Sequence, residues 1–198
     1  MENDELAIKN LKRLIDQEVL EDQDLADATA SMAQAYINIK AKDSALAQLA
    51  IASELTNKNN EKARYNYIIG QLYNEFGYKD SANIAFDKVI ELHRKIPRAY
   101  YINAHLAKAS NFDFETGDQV AFLEYLTELE EDRENRPFLG IIYYRIAEFH
   151  KQNKSDSLAI AYYNKSLRSQ ATDKPLRAVD YSTLGDMNFD KAEYKISG

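Results

Sequence analysis

The feature that most constrains this chain is a pair of small residues twelve positions apart, repeated along most of its length. Ala33 leads to Ala45, Gly70 to Ala82, and Ala147 to Ala159. The second member always falls in the same phrase, KDSA at 42 to 45 and 79 to 82 and SDSLA at 155 to 159. Each first member follows an apolar residue (Met32, Ile69, Ile146) and stands three before a ring (Tyr36, Tyr73, His150). Each second member stands four before a large residue (Leu49, Phe86, Tyr163). Spacings of three and four on both sides of a break describe two helices joined by a turn. A small residue on each lets their backbones approach, and the large residue fills what remains between them. One such pair cannot bury its apolar stripe alone, so its recurrence calls for stacking.

The frame returns at Ala104 and Gly185, giving intervals of 37, 34, 43 and 38 residues between small positions 33, 70, 104, 147 and 185. The longest interval contains NFDFETGDQV, expected as a lengthened loop before the helix VAFLEYLTELEED. The Asp-Ser pairs are expected as N-caps of the second helices. Pro97, Pro137 and Pro175 are expected in the links before new first helices, where a missing N–H costs least. Six Gly and three Pro leave few turns for an all-β chain. The expected fold is therefore all-α, a right-handed α-solenoid of antiparallel helix pairs with about ten helices in one array over 1–198. Its repeats are expected at 4–20 (a second helix only), 25–57, 62–95, 97–134, 138–169 and 175–198 (incomplete). Because repeats are cut at both ends, the chain is expected to be a fragment of a longer protein.

ARYNYIIGQLYNEFGYKDSANIAFDKVIEL at 63 to 92 carries Ile69, Gly70, Tyr73, Gly77, Ala82 and Phe86 at the spacing of the tetratricopeptide repeat (TPR), which the chain resembles. FLGIIYYRIAEFHKQNKSDSLAIAYYNKSL at 138 to 167 is similar, with His150 in place of the usual Tyr. Within that superfamily, the run from KARYNYIIG through RAYYINAHLAKA and IIYYRIAEFHKQ to LGDMNFDKAEYKIS resembles the TPR region of the SprE/PorW gliding-motility and type IX secretion lipoproteins. This second resemblance covers roughly residues 60 to 198. It implies a periplasmic parent protein held at the outer membrane by an upstream lipid anchor, with partners among other secretion subunits. The rival expectation is a TPR sensor or regulatory module of a cytoplasmic signalling protein.

In a TPR array the first helices line the concave face, with inward residues at repeat positions two, five, nine and twelve. Counting from the small residue at eight gives Tyr67, Gln71 and Asn74, then Tyr101, His105 and Lys108, then Tyr144, Glu148 and Lys151. The tyrosine column offers rigid area and a hydroxyl to a peptide or a partner helix, or else packs between neighbouring first helices. Residues expected to hold the repeats together are Ala33, Ala45, Gly70, Tyr73, Ala82, Phe86, Ala104, Ala147, Ala159 and Gly185.

No catalytic motif is present. The chain has no cysteine, no HExxH, no GxSxG and no Gly-rich phosphate loop, so neither enzyme activity nor a cofactor is expected. His93, His105 and His150 show no metal spacing. A net charge of −7 argues against nucleic acid. Asp113 to Glu134 hold nine acids against Arg133 alone, so nearly all the excess charge sits there. That segment is expected as a solvated face or as a docking patch for a basic partner. No run is long and apolar enough to span a membrane.

Overall fold

The computed structural model describes residues 2–169 and 173–196. Among them are ten α-helices: α1 (Glu2–Gln17), α2 (Asp22–Asn38), α3 (Lys42–Leu55), α4 (Asn59–Glu75), α5 (Lys79–Ile90), α6 (Arg98–Ser110), α7 (Gln119–Glu131), α8 (Leu139–Gln152), α9 (Asp156–Arg168) and α10 (Lys174–Ile196). Short 3-10 turns cover His93–Lys95 and Arg133–Phe138, and no described residue lies in a strand. The chain divides into two compact units, Met1–Asn111 and Phe112–Gly198. The division falls at the lengthened loop, inside the hairpin expected over 97–134.

In the first unit each helix packs on the next, and the apolar contacts form three linked clusters. Ile8, Met32 and Ala35 join α1 to α2. Ala33, Ala45, Leu49, Tyr65 and Ile69 join α2, α3 and α4. Ala63, Ala82, Phe86, Val89 and Ala104 join α4, α5 and α6. Tyr36 packs against the first two clusters and Tyr73 against the second and third. These rings make the seam continuous, since each helix sandwiched between neighbours must close both of its sides.

The small residues sit where close packing requires them. Ala33, Ala45, Ala82, Ala104, Ala147 and Ala159 are fully buried, and so are Phe86 and Tyr163. A Cβ added to Gly70 would lie 2.7 Å from two ring atoms of Phe86, far inside van der Waals contact. With Phe86 enclosed, its ring has nowhere to retreat.

The turn between paired helices is built three times in the same way. Lys40, Gly77 and Lys154 adopt positive φ of 63°, 81° and 55°. The following N–H groups of Ala41, Tyr78 and Ser155 reach back to the carbonyls of Tyr36, Tyr73 and His150 at 2.8, 2.9 and 2.8 Å. The N–H groups of Lys40, Gly77 and Lys154 reach Ile37, Asn74 and Lys151 at 3.0 Å each. This is the Schellman closure, which satisfies carbonyls left over at a helix end. Ala41, Tyr78 and Ser155 then serve as the N-cap residues of α3, α5 and α9.

The Asp-Ser pairs are therefore not caps. No side-chain cap bond forms at these three helices, and Asp43, Asp80 and Asp156 lie in their first turns. There the carboxylates favour the positive end of the helix dipole. Because only three residues separate the paired helices and the last of them is already the N-cap, the Asp-Ser pair is drawn inside the second helix.

The second unit packs α8 against α9 through Ala147, Ala159, Tyr163 and Leu167, with Leu184 and Met187 of α10 closing the cluster. Phe112 and Phe114 of the lengthened loop and Phe122 of α7 form a ring cluster with Phe149 of α8. The loop ends in a genuine cap, with Asp118 accepting from the N–H groups of Val120 and Ala121 at 3.0 Å each. Pro175 lies in the first turn of α10 rather than in the link before it; Asp173 accepts from the Leu176 N–H at 2.8 Å. FDKAEYKI continues α10 to Ile196. Gly185 is exposed, and a Cβ added there would touch nothing within 4 Å. It is thus not a packing glycine in this structure.

Candidate partner-binding groove

In the first unit α2 and α4 flank a groove of about 260 Å³. Asp27, Ala30, Ser31, Gln34 and Ile37 line it from α2, Leu49 from α3, and Arg64, Tyr65 and Ile68 from α4. Asp27, Ser31, Gln34 and Arg64 are exposed, whereas Ile37 and Ile68 are half-buried and Leu49 is buried. An apolar floor with polar groups at its edge can take up a side chain and fix its main chain.

A polar network holds the two walls together. Gln23 at the start of α2 donates to Asp27 at 2.8 Å and to Glu61 of α4 at 2.9 Å. The Thr56 hydroxyl donates to Glu61 at 2.7 Å, and Lys58 pairs with it at 2.9 Å. Burial would raise the Glu61 carboxyl, but hydrogen bonds from Lys58, Thr56 and Gln23 outweigh it and hold the group below its ordinary value. Burial pushes the Tyr65 phenol up, with the charges of Glu61 and Asp27 adding to the effect. Within the groove, Ser31 donates to the Asp27 carbonyl at 2.8 Å and Gln34 to Asn38 at 3.0 Å.

The residues expected at the groove from sequence fall largely elsewhere. Tyr67 and Tyr101 are half-buried and pack against one cluster centred on Phe86, with the Tyr67 and Phe86 rings 5.7 Å apart. The Tyr101 ring lies 4.3 Å from His105 and 4.1 Å from the Arg98 guanidinium. His105 is buried, and desolvation, followed by the nearby charges of Arg98 and Lys108, pushes its imidazole down to about 4. Lys108 donates to Asp87 at 2.6 Å. Gln71 is exposed, and Asn74 is half-buried with an enclosed Oδ1 that has no hydrogen-bond partner among the described residues.

In the second unit Tyr144 packs 6.1 Å from Tyr163, repeating the Tyr67–Phe86 pair at the same two repeat positions. Glu148 accepts from the Tyr163 hydroxyl and lies 4.0 Å from Lys151, which is exposed. Burial raises the Tyr163 phenol, and the Glu148 hydrogen bond raises it further. Burial also raises the carboxyl of Asp180, which is fully enclosed; the Ser166 hydroxyl works against the shift. His150 is buried, stacks on Tyr162 at 5.5 Å, and is pushed down by desolvation.

The column tyrosines thus belong mainly to the hairpin packing. Sequence reasoning missed Asp27, Ala30, Gln34, Ile37 and Arg64. The signal was available: positions two, five, nine and twelve counted from Ala33 are 27, 30, 34 and 37, and position two counted from Gly70 is 64. Among the described residues no group of three or more His, Asp or Glu could hold a metal ion, and no helix is long and apolar enough to cross a membrane.

No family model matches the chain, and no curated protein matches its sequence. Solved structures do match. A crystal structure of MamA superposes with a TM-score of 0.60 at 17% identity, covering 82% of this chain and 86% of that one. A second MamA crystal structure gives 0.55 at 18% identity, covering 73% of each. MamA from residue 41 to its end, from Desulfovibrio magneticus RS-1, gives 0.57 at 17% identity, covering 88% of this chain and 97% of that one. At such identity the likeness speaks for the fold, which is an all-α, TPR-like helical repeat.

Proposed function

We propose that the chain is a non-catalytic scaffold that binds a protein or peptide along its first helices. The observation that carries this reading is the α2–α4 groove, whose polar edge and apolar floor are held in place by the Glu61 network. The mechanism is presentation: stacking the hairpins buries their shared faces and leaves positions two, five, nine and twelve of α2, with position two of α4, facing the groove.

The resemblance of residues 60 to 198 to the SprE/PorW lipoproteins supports a finer reading. The parent protein works in the periplasm at the outer membrane, and its partners are subunits of type IX secretion and gliding machinery. No cofactor, nucleic acid or small-molecule substrate enters this reading.

Both levels can be tested in cells of the source. A photo-crosslinking residue placed at Gln34 or Arg64 should yield adducts with an envelope protein, and one at Ala47, exposed on α3, should not. Asp27→Lys with Arg64→Glu should lower adduct yield at Gln34 by roughly tenfold, while far-UV circular dichroism stays helical. Equal yield at Ala47 and Gln34 would remove the groove. Recovery of the parent protein in the cytoplasmic fraction would instead favour the signalling-module reading.

A further inference from the structure

The acidic segment contains a second surface, distinct from the first-helix groove. Helix α7 buries Leu126 and Leu129 and stacks Phe122 on Phe112 at 3.9 Å. Its remaining stripe, Val120, Leu123, Glu124, Thr127, Glu128 and Glu131, recurs at steps of three and four and so lies along one face of the helix. Together with Gln119 of α7 and Phe149 of α8, this stripe lines an open groove of about 650 Å³.

Its floor is apolar. Val120 is 70% exposed, Leu123 is half-buried, and Phe149 closes the bottom. The Thr127 hydroxyl donates to the Leu123 carbonyl at 2.8 Å, so it needs no partner from outside. The rim is anionic. Glu124, Glu128 and Glu131 are exposed, and among the described residues none of them forms an ion pair. Their neighbour Glu130, on another face, is paired with Lys165 at 3.1 Å. This difference separates the groove from an ordinary charged surface: the carboxylates beside the apolar floor lack cations, and the one turned away has its own.

We infer that the α7 groove docks a basic amphipathic helix of a partner protein, leucine-like side chains seated on Val120, Leu123 and Phe149 and Lys or Arg facing Glu124, Glu128 and Glu131. The stripe from Gln119 to Glu131 rises about 18 Å, which matches a partner helix of roughly three turns. Carboxylates one helical turn apart meet cations spaced three or four residues along such a helix. The apolar contact supplies affinity, and the charges select the partner and speed its approach.

The test uses the full chain and a fluorescein-labelled peptide of roughly 14 residues, with leucines at helical period and lysines between them. Binding is read by fluorescence anisotropy. The peptide should bind the native chain, and Glu124→Gln, Glu128→Gln and Glu131→Gln together should weaken it by about tenfold. Val120→Asp should weaken it similarly by wetting the floor. Raising salt from about 50 mM to about 500 mM should weaken binding to the native chain about fivefold and have little effect on the triple variant.

A control with the same charge change elsewhere, Glu5→Gln, Asp16→Asn and Glu18→Gln, should bind as the native chain does. Equal loss in this control would mean that the peptide senses net charge alone, which overturns the proposal. So would equal binding of a peptide with the same composition but no helical period, or no binding at all. Self-association of the chain that Val120→Asp abolishes would identify the occupant as a second copy and overturn it too. Asp27→Lys with Arg64→Glu leaves this binding unchanged, so failure here and failure of the first-helix groove are read separately.

Discussion

At the scale of single residues, glycine has opposite meanings at two positions of the same repeat frame. Gly70 faces the enclosed ring of Phe86, and Gly185 faces open space. Alanine gains about 1 kcal/mol over glycine inside a helix. Gly185→Ala should therefore stabilise the chain by about 1 kcal/mol. At Gly70 overpacking by about 2–3 kcal/mol, the upper part of the usual range because the Phe86 ring is enclosed, exceeds that gain, and the net expectation for Gly70→Ala is a loss of about 1–2 kcal/mol. Thermal melts of the two variants should move in opposite directions.

His105 makes a second residue-scale prediction. Its folded-state value, pushed down to about 4, lies below its ordinary 6.5. Above 6.5 neither state holds the proton; between 6.5 and about 4 only the unfolded chain takes it up. The stability is thus fully present at neutral pH and is lost as pH falls through that window, by about 3 kcal/mol in all. Urea unfolding at successive pH values should show this slope in the native chain, and His105→Gln should reduce it.

At the scale of elements, the unit that repeats is the turn as much as the helices. Three helices are closed by a residue at positive φ that is followed by the N-cap of the next helix, yet only Gly77 among those three is a glycine. Lys40 and Lys154 hold a conformation that costs an L-residue about 1–2 kcal/mol. Lys40→Gly and Lys154→Gly should each raise stability by about 0.5–1 kcal/mol once the larger entropy of unfolded glycine is counted. Gly77→Ala should lower it by about 1 kcal/mol, and differential scanning calorimetry would rank all three. Of the three positions, only Gly77 carries a residue type that favours a left-handed backbone. At the two lysines nothing in residue type signals a left-handed backbone, because Lys is set there by the pairing of the flanking helices. The same pairing explains why Asp43, Asp80 and Asp156 lie inside their helices. Local chemistry favours them as caps, but the turn geometry decides where the helix starts.

At the scale of the whole chain, the recurrence of small residues determined the helical hairpins, because no other arrangement lets Ala33 meet Ala45 or Gly70 meet Phe86 at one fixed spacing. It could not reveal which surfaces stay open. Tyr67 and Tyr144 look like groove residues by position, yet each rests on the large residue of its own hairpin, and such packing depends on where two helices cross rather than on either sequence. Asp27, Gln34 and Arg64 were written in the same count but became a groove only when α2 and α4 were set side by side. The acids at 124, 128 and 131 are likewise plain in the sequence, but their setting along an apolar floor depends on Phe149 from another helix. Periodic patterning is local and can be read along the chain; exposure is a property of neighbours, and only the tertiary structure supplies them.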